Sequence, residues 1–335
     1  MVSMKDIAGV CGVSVATVSK ALSNRLDIGV ETKELIKTKA REMGYFPNSQ
    51  ARALRTNRTY NLGILFVEKA NSGLTHDYFI HVINSFKVVA EEKGYDITFV
   101  NNKFTASYLE HSRYRGFDGI VLACIDFQDP EILELVNSEI PLVTIDYVFQ
   151  NRPAIISNNR DGMKELLEYI YSQGHRRIAY IYGRESEVTK IRLKSFYEVF
   201  EEKGLSIPKE YVREAAYRNM ITAGQITKEL LDLKNPPTCI LYPDDYSAIG
   251  GINVIRERGL SIPGDISVAG YDGISVLMQM EPELTTIRQN TEMLGRRAAE
   301  KLIGLIEDPQ NTKIEMITVD SGLIEGKTTA KIPVV

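Results

Sequence analysis

Three aspartates stand where an open parallel sheet would present them to a ligand. Asp146 follows the strand-like run Leu142-Val143-Thr144-Ile145, Asp244 follows Cys239-Ile240-Leu241, and Asp272 ends Val268-Ala269-Gly270-Tyr271. Arg192 lies at the start of a helical stretch after Tyr182-Gly183, and Tyr78-Phe79 opens another. Carboxylates and a guanidinium offer fixed acceptors and donors to hydroxyl groups, and an aromatic ring stacks on the C–H face of a sugar. Tyr78, Phe79, Asp146, Arg192, Asp244 and Asp272 are therefore candidate residues for binding a sugar-like ligand. An acid at a strand-to-helix turn also serves well as a helix cap, and that is the role expected of Asp245 and Asp161.

Catalytic chemistry has no comparable support. His76, His81, His111 and His175 show no ligand spacing, and neither a phosphate loop nor a nucleophile elbow is present. The chain is read as not an enzyme, with no metal and no cofactor. Cys11, Cys124 and Cys239 are isolated in apolar stretches, the pattern of reduced core cysteines in a cytosolic protein. No segment approaches the ~18 apolar residues of a membrane span, and the start does not read as a signal peptide.

A second constellation opens the chain. Met4, Ile7, Ala8 and Cys11 recur at helical intervals, and Ser3 with Asp6 forms a capping-box pattern. Gly12 suits a left-handed helix end, and Ser14 can cap a second helix whose Val18, Ala21 and Leu22 face the first. The opposite face carries Ala16, Ser19, Lys20 and Ser23, with Val15 at its leading edge. A small, mostly uncharged face at the start of a helix suits the major groove of DNA. Leu35, Ile36, Ala40 and Met43 predict a third helix ended by Gly44, giving a three-helix headpiece. Residues 1–60 carry a net charge of +5 and the remainder −9, so an acidic chain of 335 residues has a basic head. Asn48 to Arg58 has helical composition but is too short to be stable alone, since isolated helices below about 12 residues are marginal. Its arginines can reach phosphates, and Leu54 is an apolar wedge.

The body alternates strand and helix. Strands are predicted at Leu62–Val67, Ile97–Val100, Gly119–Ala123 and Leu142–Ile145, then at Ile178–Ile181, Cys239–Leu241, Ser267–Ala269 and Ile314–Val319. Helices are predicted at Phe79–Lys93, Lys164–Gln173, Ile191–Lys203 and Ser247–Arg258. Two doubly wound parallel sheets result, and the cleft between them is the expected binding site.

Lys5-Asp6-Ile7-Ala8, Val13-Ser14, Ala16-Thr17-Val18-Ser19, Gly44-Tyr45, Pro47-Asn48 and Ala51-Arg52-Ala53-Leu54 resemble the headpiece and hinge of the LacI/GalR family of bacterial transcriptional regulators. The likeness extends over nearly the whole chain, through Gly174–Ala179, Pro263–Val268 and Leu284–Ile287. It implies an all-α helix-turn-helix headpiece (1–46), a hinge helix and linker (47–60), and a two-lobed, periplasmic-binding-protein-like α/β core (61–330). Lobe one would hold 61–157 and 287–318, and lobe two 158–286 and 319–330, with crossings near Ser157, Thr286 and Val319. The resemblance further implies a homodimer on a pseudo-palindromic double-stranded operator. Ser14, Val15, Ala16, Thr17, Ser19, Lys20 and Ser23 would contact DNA from the headpiece, and Asn48, Ala51, Arg52, Leu54 and Arg55 from the hinge. Gly270-Tyr271-Asp272 and Arg192-x-x-x-Phe196 stand where the family holds its effector, which sets Asp272 and Arg192 apart from simple caps. Asp244 occupies a place where the family commonly has asparagine. Ser23–Gly29 departs from the usual loop, and Lys20 lacks arginine's bidentate fork. No leucine heptad closes the chain, so a dimer rather than a tetramer is expected.

The function expected is that of a cytoplasmic repressor of carbohydrate-utilisation genes, controlled allosterically by a small sugar between the lobes. The alternatives are control by a protein corepressor, such as a phosphorylated carrier on the first lobe, and a sugar-binding protein without a DNA function.

Overall fold

The computed structural model describes residues 2–23, 27–45, 53, 58–67, 73–101, 107–275, 279 and 281–332. Two compact units result, residues 1–59 and 60–335. Asn48, Ala51, Arg52, Leu54 and Arg55, expected at DNA, lie outside the described residues.

The first unit holds α1 (Met4–Cys11), α2 (Val15–Leu22) and α3 (Val30–Glu42). Ser3 caps α1, and Asp6 returns the bond by accepting from the Ser3 N–H at 2.8 Å. Gly12 ends α1 at φ +64°, a conformation in which a side chain is strained. Ser14 caps α2 through the Thr17 N–H at 3.1 Å. Ile7, Ala8, Val18, Ala21, Ile36 and Ala40 form the buried centre, flanked by half-buried Met4, Cys11, Leu22 and Met43. Leu35, expected in that stripe, is instead 49% exposed. One helical step of about 100° carries it off the face that Ile36 and Ala40 share.

The second unit contains two parallel sheets. The first orders β11-β5-β4-β3-β1-β2, with β1 at Asn61–Phe66, β2 at Asp96–Phe99, β3 at Gly119–Ala123, β4 at Leu142–Ile145, β5 at Ala154–Ser157 and β11 at Met316–Val319. The second orders β7-β6-β8-β9, with β6 at Ile178–Tyr182, β7 at Val212–Glu214, β8 at Cys239–Leu241 and β9 at Ser267–Ala269. β3, β4, β8 and β9 are buried at every residue, as sheets covered by helices on both faces require. On lobe one these helices are α4 (Asp77–Glu92), α5 (Tyr108–Arg115), α6 (Pro130–Val136) and α11 (Thr291–Glu307). On lobe two they are α7 (Asn159–Ser172), α8 (Glu187–Glu202), α9 (Met220–Leu231) and α10 (Asp245–Glu257). The chain passes between lobes after β5, after β10 (Thr286–Arg288), and between β11 and β12 (Gly322–Ile324). β10 and β12 pair antiparallel, and Val319 pairs with Ser157 in the lobe-one sheet.

The helices begin earlier than the apolar periodicity suggests. α7 starts at Asn159 rather than Lys164, α8 at Glu187 rather than Ile191, α10 at Asp245 rather than Ser247 and α4 at Asp77 rather than Phe79. For α7, α8 and α10 the reason is a polar first turn fixed by a cap from Asn158, Ser186 or Asp244. The strand expected from Ile314 begins only at Met316. All three cysteines are free thiols; Cys239 is fully buried, and Cys11 and Cys124 are half-buried at the edges of the cores they pack against. Among the described residues no helix is long and apolar enough to cross a membrane.

Candidate functional site

The headpiece presents Val15, 45% exposed, with Ala16, Lys20 and Ser23 also exposed on or just past α2. Ser19 and Thr17 are half-buried. The Ser14 and Thr17 hydroxyls lie 2.9 Å apart within the cap, so both stand at the helix start that a groove-reading helix points at DNA. Lys20 Nζ lies 2.6 Å from Asp27 Oδ2 in an exposed ion pair.

Within each lobe the structure brings two of the predicted residues together, Tyr78 with Asp146 and Arg192 with Asp272. Asp146, just past β4, accepts from the Tyr78 hydroxyl at 2.9 Å and from the Ser157 N–H at 3.0 Å. Burial raises the Asp146 carboxyl above its ordinary range, while those two donors and the charge of Arg192 pull it back. Arg192, on α8, is buried. Its Nε donates to Asn159 Oδ1 at 2.8 Å, its Nη1 donates to the Pro243 carbonyl at 3.0 Å, and its guanidinium stacks 3.5 Å above the Tyr271 ring. Its Nη2 faces Asp272 Oδ1 at 3.9 Å, and Gln289 Nε2 donates to the same oxygen at 2.6 Å. Burial outweighs the nearby guanidinium and lifts Asp272 to about 7. Asp146 and Asp272 both sit at positive φ, +59° and +108°, unusual for side-chain-bearing residues and a common mark of functional positions.

Two candidates are held by contacts within the protein. Phe79 is packed into the lobe-one core against Phe66 and His76, where a ligand cannot stack on it. Asp244 is the cap of α10: its oxygens accept from the Ser247 N–H at 2.8 Å, the Ser247 hydroxyl at 2.9 Å and the Arg218 N–H at 2.8 Å. Its neighbour Asp245, expected as the cap, is fully buried and accepts from the Thr286 hydroxyl at 2.7 Å and the Ile274 N–H at 2.9 Å. The cap role expected of Asp245 therefore falls to Asp244, and Asp245 is a buried structural acceptor. Asp161 is not the cap of α7 either; it accepts from the side chain of the true cap, Asn158, at 2.9 Å.

Several further residues carry no periodic signal in the sequence. A cavity of about 290 Å³ is lined from lobe one by Asp146 and Tyr147, from the crossing by Ser157, and from lobe two by Asn159, Val188 and Ile191. The Ser157 hydroxyl is buried there with no hydrogen-bond partner, an arrangement that a ligand hydroxyl would satisfy. Tyr217 rests its ring on Gly183, where a Cβ would come within 2.1 Å, and its hydroxyl lies 2.9 Å from Thr189. Among the described residues no group of histidines, cysteines and acids could hold a metal ion.

Comparison with known proteins agrees with both halves of this arrangement. The model of the bacterial regulatory proteins of the lacI family matches residues 3–48, and that of the periplasmic binding protein-like domain matches 167–329. The probable HTH-type transcriptional repressor ExuR of Bacillus subtilis is 32% identical over 95% of each chain. The HTH-type transcriptional repressor PurR of Pasteurella multocida is 28% identical over 94% of this chain and 96% of its own. Among solved structures, the lac repressor dimer bound to operator and the anti-inducer ONPF aligns with a TM-score of 0.80 at 25% identity, over 98% of this chain and 99% of that one. The fold is shared as well by a CelR–cellobiose complex, with a TM-score of 0.71 at 22% identity over 98% and 100% of the two chains. With a helix-turn-helix head, a two-lobed core and a repressor 32% identical along almost its full length, the chain belongs to the lacI family of bacterial regulatory proteins.

Proposed function

We propose that this protein is a cytoplasmic, homodimeric, sequence-specific DNA-binding repressor of carbohydrate-utilisation genes. Its paired headpieces read a pseudo-palindromic operator, and a small sugar-like effector in the cleft changes how they bind. The observation that carries the effector half is the buried set Asp146, Ser157, Arg192 and Asp272, drawn from both lobes and the crossing between them. Asp146 and the unpartnered Ser157 hydroxyl line a cavity of about 290 Å³, and together with the buried Arg192 and Asp272 of lobe two they suit a polyol, which both donates and accepts at each hydroxyl. Because these residues belong to both lobes, a bound sugar stabilises one angle between them, and through that angle the spacing of the two DNA-binding heads. The relatives named as repressors and the lac repressor dimer on its operator support the DNA half.

A thermal-shift screen of sugars against wild type and Asp272→Ala tests the effector reading. At a hundred times its Kd, a ligand stabilises by about 2.7 kcal/mol, which for a core of this size is a rise of several degrees. The response should vanish in Asp272→Ala. If no sugar or polyol raises the melting temperature of wild type, the sugar reading fails.

A further inference from the structure

A cluster beside the cleft joins the lobes through the chain's own side chains. On lobe one, Asp77 is the first residue of α4, next to the cleft residue Tyr78. On lobe two, Arg218 follows the cleft residue Tyr217, and Tyr246 lies in the first turn of α10. Asp77 Oδ2 accepts from the Tyr246 hydroxyl at 2.6 Å and lies 3.6 Å from Arg218 Nη1. Arg218 Nη2 donates to the Thr75 carbonyl at 3.3 Å, and the guanidinium stacks 4.1 Å from the centre of the Tyr246 ring. The backbone N–H of Arg218 is tied to Asp244 at 2.8 Å, and its φ of +55° is a conformation a side-chain-bearing residue adopts only when its surroundings hold it. Thr75, Asp77, Arg218 and Tyr246 all lie off the segments that cross between the lobes, so the link is non-covalent and can open.

From this geometry we infer that Asp77, Arg218 and Tyr246 form a latch that holds the two lobes together, and that its strength sets how easily the cleft opens. The three are positioning residues: they bring the lobe-one and lobe-two halves of the cleft to the same place before any ligand bridges them. The side chains of Arg218 and Asp77 are only 13% and 32% exposed, so the pair is less screened than a surface ion pair, and one carboxylate oxygen serves both Tyr246 and Arg218. A latch of this kind biases the closed arrangement by roughly five-fold. It does not depend on the identity of the effector.

Amide hydrogen exchange on the full-length protein, with no ligand added, tests the latch. Asp77→Asn and Arg218→Gln should each raise exchange roughly five-fold in both partner segments, residues 73–80 and 215–222. The double variant should open less than the two single effects combined, because Asp77 and Arg218 share one contact that can be lost only once. Should Arg218→Gln fail to fold, Tyr246→Phe paired with Asp77→Asn gives the same reading, since both act on one carboxylate oxygen. Exchange confined to the mutated residue's own lobe, or effects that add in the double variant, would overturn the inference.

Discussion

Asp272 concentrates the electrostatics of the cleft. Folded, it keeps its proton to about pH 7, whereas the unfolded chain releases it near the ordinary 3.8. Between those values the folded state binds more protons, so stability is greatest below the window and falls as pH rises through it. That difference corresponds to something on the order of 4 kcal/mol. Asp272→Asn should therefore flatten the fall in melting temperature between pH 5 and pH 8, and parallel curves for the two proteins would speak against a buried, reluctant carboxylate. Asp245, pushed well up first by burial and then by the charge of Asp272, titrates in the same direction. Asp245→Ala strands the Thr286 hydroxyl and the Ile274 N–H, two buried groups at about 1–3 kcal/mol each; urea unfolding should report a loss of about 2–6 kcal/mol. At this scale the sequence reading was uneven for physical reasons. Asp146 and Asp272 were visible because an acid after an apolar strand stands at the ligand-binding edge of a parallel sheet. The cap was expected at Asp245 and lies at Asp244, because which of two adjacent acids caps a helix depends on a one-residue rotation at its start. Ser157, Tyr217 and Arg218 belong to no periodic run, and only the meeting of the lobes brings them into view.

Strands and helices were legible to different depths. Runs such as Gly119–Ala123 and Cys239–Leu241 announce themselves as β-branched or apolar stretches with a polar residue or glycine beside them, and the structure places strands there. The short β5, β7, β10 and β12 carry three or four residues each and exist through partners distant in sequence, which local patterning cannot see. Close helix packing was equally invisible. Gly295 in α11 faces α4 so tightly that a Cβ would come within 2.1 Å of the Val82 carbonyl oxygen and 2.8 Å of the Phe86 nitrogen. Alanine elsewhere in a helix gains up to about 1 kcal/mol over glycine, but here the obstacle is backbone, and overpacking of about 1–3 kcal/mol outweighs that gain. Gly295→Ala should destabilise the core in chemical denaturation; a stabilised variant would show that α4 and α11 can part. In the headpiece, Ser14→Ala removes the cap of α2 and should cost about 1 kcal/mol, read as a lower melting temperature of that unit.

Over the whole molecule, a basic reading head of net charge +5 and an acidic body of −9 divide two tasks. The head supplies the salt-dependent attraction to phosphates. Its exposed face, with Val15, Ala16 and Lys20 and no arginine on α2, is poor in bidentate donors to base edges, so the proposed function leaves much of the specificity to dimer spacing and DNA deformation. Leu54→Ala should accordingly weaken binding to the selected operator far more than binding to random duplex, measurable by fluorescence anisotropy at fixed salt. The latch and the buried carboxylates then belong to one design, in which the closed cleft is prepared by the chain and adjusted by a ligand. The most direct test of that account is selection of duplexes from a random library by the full-length protein. The predicted result is convergence on a two-fold inverted repeat, with no enrichment by a chain lacking residues 1–58. Failure to enrich any sequence, or enrichment of the same sequences by the truncated chain, would contradict it.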